Sequence, residues 1–423
     1  MNINARNTQR GRALTLALAL TGLMGWGVGV HAQEDDGGAP GDWLSRYTGA
    51  RSVGFGGAFV AAANEPMGVV WNPAGLSQLF QNELHVETAR LFENTTINGF
   101  SFAAPARRIP SFGITMVKLS SGEFERTNEL NEPLGTFEES DMAFLLTAAK
   151  NLSPQMALGA NLKVVRQSLE EFSAAGVGFD AGMMFDITPK VRVGASLLNI
   201  GGPSLSLRST DEKFPFEFRG GMALRVLNGR GVITAEFDHR SGPGASLHAG
   251  SEVWVHPSMA LRLGYNEQFA TGGFSYRVAP GTRFDYGVSD HTLGLTHRVG
   301  LSYRFGGFFA ASVADPPVFS PTGQQSVTKF QLEAHTKSDA REWKLDIVNS
   351  SNQIVRSFGG RGLPPTHVMW DGKNEVGLPL ADGIYRYQIV VWDDQGREIQ
   401  SRARSVEITT SGPQGSVPVF VDP

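Results

Sequence analysis

Apolar and polar residues alternate along most of the chain between about residues 83 and 305. Each alternating segment is roughly 8 to 13 residues long and is followed by turn residues. In the segment that closes the region, one face carries Leu293, Leu295, His297, Val299, Leu301, Tyr303 and Phe305, and the other carries Thr292, Gly294, Thr296, Arg298, Gly300, Ser302 and Arg304. Because a period of two is that of a β-strand, the pattern predicts an all-β region of successive strands.

The strands can be counted from the points at which the alternation begins again. These points lie near residues 83, 97, 111, 140, 156, 175, 191, 216, 232, 245, 259, 272, 283 and 293. They predict about fourteen strands, of which 97–104 and 283–289 have the weakest pattern. An even number of antiparallel strands puts both ends of the region on the same side.

An alternating pattern is typical of both a soluble sandwich and a transmembrane barrel, and the connections distinguish the two. Short turns are predicted at 151–155, 188–190, 227–231, 256–258 and 279–281, and they alternate strictly with longer polar links at 121–139, 169–174, 201–215, 266–271 and 289–292. An outer-membrane barrel has tight periplasmic turns and longer outer loops. The sequence therefore predicts an antiparallel transmembrane β-barrel with both ends in the periplasm.

The parity of the strands also predicts which charged side chains face the lumen, because a charge that faces lipid costs a few kcal/mol at mid-depth. The inward set is Lys163, Asp180, Asp186, Arg192, Glu217, Arg219, Arg225, Glu236, Glu252, Arg262, Arg277, Arg298 and Arg304. Both signs are present. We expect a structural network of ion pairs in preference to a dedicated ion path.

The first 32 residues have the pattern of a secretory signal peptide. Arg6, Arg10 and Arg12 precede an apolar stretch, and Val30-His31-Ala32 fits a cleavage site, so the mature chain is expected to start at Gln33. A retained anchor helix is the alternative, because the apolar stretch is nearly long enough to span a membrane. Glycines within the stretch and the cleavage site favour removal.

Composition narrows the classes of partner and chemistry. The chain has 51 Gly, 22 Pro and 27 Phe, a net charge of -4 and 18% charged residues. It has no basic stripe that could displace phosphate counterions, which excludes a nucleic-acid partner. There is no Cys, and past residue 32 no apolar stretch is long enough for a membrane helix.

A glycine-rich segment precedes the first strand and ends in a turn. It runs from Gly49 to Pro66 and is followed by Trp71-Asn72-Pro73-Ala74-Gly75-Leu76. Its characteristic residues are Gly54, Gly56, Gly57, Trp71, Asn72, Pro73, Ala74 and Gly75. The glycines do not complete a dinucleotide fingerprint or a P-loop.

This segment resembles the N-terminal hallmark of the PorV/PorQ family and of the related long-chain fatty acid transporters of the FadL type. The resemblance covers residues 49 to about 306. It implies that residues 33–82 form a plug inside a fourteen-stranded barrel at 83–306. The outer loops are short for a fatty acid transporter, which favours the PorV-like branch, whose known members are outer-membrane parts of the type IX secretion pathway.

The chain past the barrel reads as a second, small β module. A Pro-rich linker is predicted at 307–325 and a C-terminal tail at 411–423, and 326–410 contains about six or seven short strands. The module resembles the immunoglobulin-like domain of the flagellar hook-capping protein FlgD. The residues behind this resemblance include Trp343, Pro364-Pro365, Trp370-Asp371-Gly372, Asp382-Gly383-Ile384-Tyr385 and Asp393-Asp394. Because the last barrel strand must run inward, we expect the module to be periplasmic. It is either a docking module, or a passive spacer or chaperone-like stabiliser of the end of the barrel.

The sequence shows little sign of enzymatic chemistry. Its nine His residues lack metal-ligand spacing, and no serine hydrolase motif is present. We expect no cofactor, no metal and no catalytic residue. Asp238-His239 and Asp290-His291 fall at outer strand ends, where an Asp/His pair could activate water, but such residues at a loop rim are more often merely solvated.

Three functions remain open, in this order. The first is a PorV-like component of protein secretion or envelope assembly that binds a periplasmic or secreted protein. The second is FadL-like passage of a hydrophobic small molecule through the outer membrane, with membrane lipid as the surroundings in both cases. The third is a rim hydrolase.

Overall fold

The computed structural model describes residues 40–410 except 93, 107, 108, 154, 189, 208, 209, 267, 324 and 402. The predicted signal peptide and the C-terminal tail at 411–423 lie outside the described residues. Two short α-helices occur in the described part, α1 (Asp42–Ser45) and α2 (Ala50–Gly54), with 3₁₀ helices at Pro66–Val70, Pro73–Gln78 and Leu227–Gly229. The remaining regular structure is β.

The strands of the first region are β1 (Asn82–Arg90), β2 (Thr96–Ala104), β3 (Ser111–Thr127), β4 (Pro133–Asn151), β5 (Met156–Leu169), β6 (Phe172–Asp186), β7 (Val191–Ile200), β8 (Ser204–Leu207), β9 (Thr210–Lys213), β10 (Glu217–Val226), β11 (Gly231–Arg240), β12 (Gly244–His256), β13 (Met259–Asn266), β14 (Phe269–Ala279), β15 (Thr282–Ser289) and β16 (Thr296–Phe305). All of them except β8 and β9 close into one antiparallel barrel, in which β16 pairs with β1. The predicted all-β class and the count of fourteen strands are confirmed.

The prediction that short turns and long links alternate strictly was wrong. We call the end of the barrel at which β1 begins and β16 ends the proximal end, and the opposite end the distal end. On the distal side, β5–β6 and β13–β14 are joined by only two residues each, at 170–171 and 267–268. The strands continue through the polar residues that were assigned to links, so that β3 and β4 form a long hairpin around 128–132, and the 201–215 link contains the β8–β9 hairpin.

The outer wall of the barrel is apolar. Large side chains that point outward include Phe100, Phe112, Met116, Phe144, Leu162, Val177, Phe179, Leu197, Phe218, Met222, Phe237, Leu247, Leu261, Leu263, Tyr276, Leu301 and Tyr303. A closed barrel leaves no unpaired strand edge, so its backbone polar groups are satisfied without water. An apolar outer surface on such a barrel is the arrangement that lipid requires.

No helix in the described part of the chain is long and apolar enough to cross a membrane.

Residues 40–79 lie inside the barrel and are called the plug here. Almost every residue from 48 to 77 is buried, with Asn64 as an exposed exception. The plug begins near the distal end, where Asp42 pairs with Arg240 at the end of β11. It ends near the proximal end, where Phe80 leads into β1.

The tail is a two-sheet β module. Its strands are β17 (Ala310–Asp315), β18 (Val318–Phe319), β19 (Thr328–Ala334), β20 (Ala340–Val348), β21 (Ile354–Arg361), β22 (His367–Trp370), β23 (Gly383–Asp393), β24 (Glu398–Gln400) and β25 (Arg404–Ile408). One sheet has the order β17-β19-β22 and the other β18-β25-β23-β20-β21, with β24 on β23. Trp370 and Tyr385 lie in the core between them, as the sequence suggested.

One predicted boundary needs correction. Residues 307–325 were assigned to a linker because they are rich in Pro, but β17 and β18 lie within this range and belong to the two sheets of the tail. Short strands at a sheet edge tolerate Pro, which is why composition alone was misleading.

Candidate functional site

The plug fits into the barrel because the wall presents glycines to it. A Cβ atom at any of these inward positions would lie closer than 3.0 Å to a plug atom: Gly99, Gly159, Gly182, Gly194, Gly221, Gly250, Gly264 and Gly287. For example, the backbone of Pro73 and Ala74 faces Gly159, and the carbonyl of Phe55 faces Gly250. The glycines of the barrel therefore let two backbones approach where any side chain would separate them.

The Asn-Pro-Ala turn connects the wall to two parts of the plug, the segment around Val60 and the 3₁₀ helix that begins at Pro73. Asn72 caps the 3₁₀ helix that begins at Pro73, with its Oδ1 accepting from the Ala74 N–H at 3.0 Å. Its Nδ2 donates to the carbonyls of Val60, 2.8 Å away in the plug, and of Met183, 3.0 Å away on β6. The motif that the resemblance singled out is thus a contact between plug and wall.

The other motif residues lie in the same interface. Gly56 has φ +67° and packs against Tyr265, Gly57 has φ +83°, and Gly54 lies near Arg262. The Trp71 ring packs under the Arg219 guanidinium, with 4.2 Å between the guanidinium carbon and the ring centre. Gly75 packs against Ala63, which is also in the plug.

The wall from β10 through β16 to β1 carries the charged side chains that bind the plug, through ion pairs or through hydrogen bonds to its backbone, and it is called the charged face here. Arg51 and Glu65 are the plug members of the network. Arg51 Nε lies 2.9 Å from Glu252 Oε2, and Glu65 Oε2 lies 2.7 Å from Arg283 Nη2. Asp285, buried behind them, links Arg283 at 2.8 Å to Arg262 at 3.0 Å.

The same face also accepts hydrogen bonds from the plug backbone. Glu87 accepts from the N–H groups of Gly49 and Ala50, at 2.8 and 3.2 Å, where α2 begins. Glu236 accepts from the Val60 N–H at 2.7 Å. These carboxylates satisfy plug donors that would otherwise be buried without a partner.

The wall formed by β2 to β6 meets the plug mainly through apolar side chains, and we call it the apolar face. Its inward residues Ile97, Val117, Leu145, Val165 and Met184 pack in one cluster with Met67, Val69, Val70 and Leu76 of the plug. The cluster extends from Leu91 near the distal end to Ala149 and Ala157 near the proximal end. Neutral hydrogen bonds accompany it, such as Asn161 Nδ2 to the Val69 carbonyl at 3.0 Å.

The thirteen predicted lumen charges all lie on inward positions of their strands, but their contacts differ. Glu217, Arg219, Glu252, Arg262 and Arg298 are buried in the charged face, where Arg219 and Arg298 donate to plug carbonyls of Ser45 and Tyr47. Lys163 and Asp180 pair with each other at 2.8 Å within the wall. Arg192 pairs with Asp186 at 2.7 Å near the proximal end.

The strand geometry separates one proposed Asp/His pair. Asp238 points inward and is buried, whereas His239 is exposed on the opposite face of β11, because successive residues of a strand alternate. Asp238 instead accepts from His248 Nε2 at 3.0 Å, and His248 Nδ1 meets the Gly56 carbonyl of the plug at 2.8 Å. In the loop after β15, the His291 ring stacks on Phe92 with 4.9 Å between ring centres.

Sequence reasoning missed the plug members of the network, Arg51 and Glu65, and also Asp285, the carboxylate that pairs with two arginines. Arg51 and Glu65 lie in a segment without alternation, so parity gave no indication of their surroundings. Asp285 does lie on an inward position, but β15 had one of the weakest patterns. The division of the wall into two faces could have been found by comparing inward residues strand by strand.

The tail contacts the end of the plug. Lys337, buried in the loop between β19 and β20, lies 2.5 Å from the Ser77 carbonyl and 3.0 Å from the Leu79 carbonyl. Burial and the nearby Arg397 guanidinium lower the pKa of Lys337 to about 7. A cavity of about 420 Å³ beside this contact is lined by Phe80, Met156 and Met184, among others.

No group of three or more His, Asp or Glu side chains with metal-site geometry occurs among the described residues.

The comparisons with known proteins concern the two regions separately. The family model of the FlgD Ig-like domain matches residues 319–395, which extend from β18 past the end of β23. No curated protein matches the chain.

Solved structures similar to this chain include the toluene transporter TbuX of Ralstonia pickettii, with 14% identity, a TM-score of 0.48 and coverage of 61% of this chain and 98% of that one. The toluene transporter TodX of P. putida gives the same four values. A FadL homologue of Pseudomonas aeruginosa is 12% identical, with a TM-score of 0.43, over 60% of this chain and 98% of that one. The PorV/PorQ assignment stays a prediction.

Proposed function

We propose that this chain is an outer-membrane barrel that passes hydrophobic small molecules along the apolar face, with the plug as its gate. The observation that carries the proposal is the unequal attachment of the plug. Arg51 and Glu65 form ion pairs with the charged face, whereas Met67, Val69 and Leu76 meet the apolar face through side chains that need no partner.

The energetic argument is direct. Parting the plug from the charged face would leave buried charges unpaired, at a cost of about 3 to 5 kcal/mol for each broken pair. Parting it from the apolar face breaks van der Waals contacts and a few neutral hydrogen bonds, and an apolar solute can replace the contacts. A hydrophobic molecule can therefore take the place of plug side chains that a sugar or an ion cannot replace.

The proposed orientation puts the proximal end and the tail in the periplasm. The distal end carries the long β3–β4 hairpin and the β8–β9 hairpin, and outer-membrane barrels have their longer excursions outside. The absence of Cys from the sequence makes a clean test possible. On intact cells, a membrane-impermeant maleimide should label Leu130→Cys in the distal loop and leave Val376→Cys of the tail unlabelled; the reverse pattern would contradict this orientation.

Transport is tested with two solutes of opposite character. Cells that carry the chain in their outer membrane should take up the apolar dye N-phenyl-1-naphthylamine faster than cells with an empty vector. Vesicles that contain the purified chain should not swell in maltose. Dye uptake equal to that of the empty vector, or swelling in maltose, would contradict the proposal.

A protein-docking role is the second candidate, and the position of the tail favours it. Lys337 of the tail donates a hydrogen bond to the plug. In addition, β21 of the tail is an edge strand on which Ile354 is exposed. An edge strand can pair with a strand of another protein. A photocrosslinker at position 354 should then give an adduct of one defined mass in living cells. The same crosslinker at position 361, which is exposed at the opposite end of β21, serves as the comparison.

A further inference from the structure

Arginines gather around a cavity at the proximal end of the barrel. The cavity measures about 510 Å³. Its arginines come from the plug, from five strands and from the β10–β11 turn, and they are Arg51, Arg192, Arg225, Arg230, Arg277, Arg283 and Arg304. Glu252 is the one carboxylate in the described lining. We call this space the arginine vestibule.

The carboxylates that pair with these arginines lie mostly behind the lining. Arg192 is held by Asp186 through two bonds of 2.7 and 2.9 Å, and Arg304 is held by Glu83 at 2.8 Å. Neither Asp186 nor Glu83 belongs to the lining of the vestibule. The guanidinium groups of Arg192 and Arg304 are therefore held in place by carboxylates that lie outside the lining.

The rim of the vestibule is also ordered by contacts other than ion pairs. Arg277 stacks on Trp254, with 4.0 Å between the guanidinium carbon and the ring centre, and it donates to the Pro257 carbonyl at 2.9 Å. Arg225 and Arg230 are exposed beside it. A stacked guanidinium loses little further freedom when it binds an anion.

We propose that the arginine vestibule is a binding site for an anion that carries a phosphate group. One carboxylate is satisfied by a single guanidinium fork, whereas a phosphate has three oxygens and up to two charges and can take several forks at once. Arginines that converge from several elements on one cavity match the second case. The site does not depend on whether a hydrophobic molecule passes along the apolar face.

The test measures pyrophosphate binding to the full mature chain in a neutral detergent by calorimetry. Wild-type protein should bind pyrophosphate more tightly than acetate. Arg225→Gln combined with Arg277→Gln should weaken binding of pyrophosphate by about tenfold or more, or about 1.4 kcal/mol. The matched control, Arg341→Gln with Arg361→Gln on the exposed surface of the tail, removes the same charge and should bind as the wild type does.

Three outcomes would overturn the proposal: no pyrophosphate binding by the wild type, equal affinity for pyrophosphate and acetate, or equal loss of affinity in the control pair. Folding of each variant is checked by its shift in gel mobility on heating, and Arg277→Lys supplies a milder change that keeps the charge but loses the fork. Repeating the titration in nanodiscs with and without phosphatidylglycerol identifies the source of the phosphate. Weaker pyrophosphate binding in the anionic nanodiscs means that lipid headgroups enter the vestibule, and unchanged binding means that a soluble phosphate does.

Discussion

The two faces of the barrel wall hold the same plug in different ways. On the charged face, each contact requires a particular partner, as Asp285 shows by linking Arg262 to Arg283. On the apolar face, Leu145 and Val165 pack against the plug without any need for a specific partner. Ionic contacts therefore fix the position of the plug, and apolar contacts fill the remaining space in a way that another apolar molecule can imitate.

Removing one carboxylate from the charged face should have the largest effect. Asp285→Ala leaves two buried guanidinium groups each short of a partner and should lower the free energy of unfolding by about 3 kcal/mol or more. The measurement is the urea midpoint for folding into vesicles. Glu129→Ala, on the exposed distal loop, is the control and should leave the midpoint unchanged.

Shortening one side chain of the apolar face should lower the free energy of unfolding by no more than Asp285→Ala does. Leu145→Ala creates a cavity between β4 and the plug and should lower the free energy of unfolding by about 2 to 4 kcal/mol. Leu162→Ala, an outward residue of the neighbouring strand, is the matched control because lipid fills the space that it leaves. If Leu145→Ala cost clearly more than Asp285→Ala, the ranking of the two faces would be reversed.

The contact between tail and plug should show the smallest effect and a dependence on pH. The pKa of Lys337 is lowered to about 7 in the folded chain, against about 10.4 for an unfolded lysine. Between these values the unfolded chain binds more protons, so the free energy of unfolding of the tail rises with pH, by about 1 kcal/mol or more from pH 7 to pH 9.

Tryptophan fluorescence during heating at pH 6, 7, 8 and 9 measures this dependence. A smaller change is expected from pH 6 to 7, because at least half of the folded chains still carry a protonated Lys337 there. Lys337→Met should abolish the rise above pH 7, and Lys344→Met, at a partly exposed position of β20 away from the plug, should keep it. A rise that persists in Lys337→Met would assign it to another group.

The barrel could be predicted from the sequence because apolar and polar residues alternate along each strand with a period of two, and this alternation can be read from adjacent residues. The same parity gave the inward charges, from Lys163 on β5 to Arg298 on β16. Loop lengths were less accessible, because polar residues near 123 and 136 belong to strands that continue past the apolar belt. The partners of Arg51 and Glu65 lie up to 218 positions away in the sequence, and a pattern of neighbours does not contain them.

The tail shows a similar limit. Its core residues Trp370 and Tyr385 were visible as aromatics near Asp-Gly turns, whereas β17 and β18 were hidden in a Pro-rich stretch. Their place in the sheets depends on pairing with β19 and β25. Strand pairs far apart in sequence are set by the assembled fold.

Two covalent links between plug and wall test most directly whether the plug parts from the apolar face. At Ala50 and Gly300, on the charged face, a Cβ on the glycine would lie 3.7 Å from the Ala50 Cβ, which suits a disulfide. At Leu76 and Gly113, on the apolar face, a Cβ added to Gly113 would lie 3.1 Å from Leu76 Cδ2. A pair of cysteines at these two positions can be joined by a short bifunctional thiol reagent. Single cysteine variants at each position are the controls for both.

The measurement is dye uptake by cells that carry each linked variant, before and after the link forms. Linking Leu76→Cys to Gly113→Cys should abolish uptake of the apolar dye, and linking Ala50→Cys to Gly300→Cys should leave uptake close to that of the single variants. Equal uptake with both links, or a block by the link on the charged face alone, would contradict the claim that the plug parts from the apolar face.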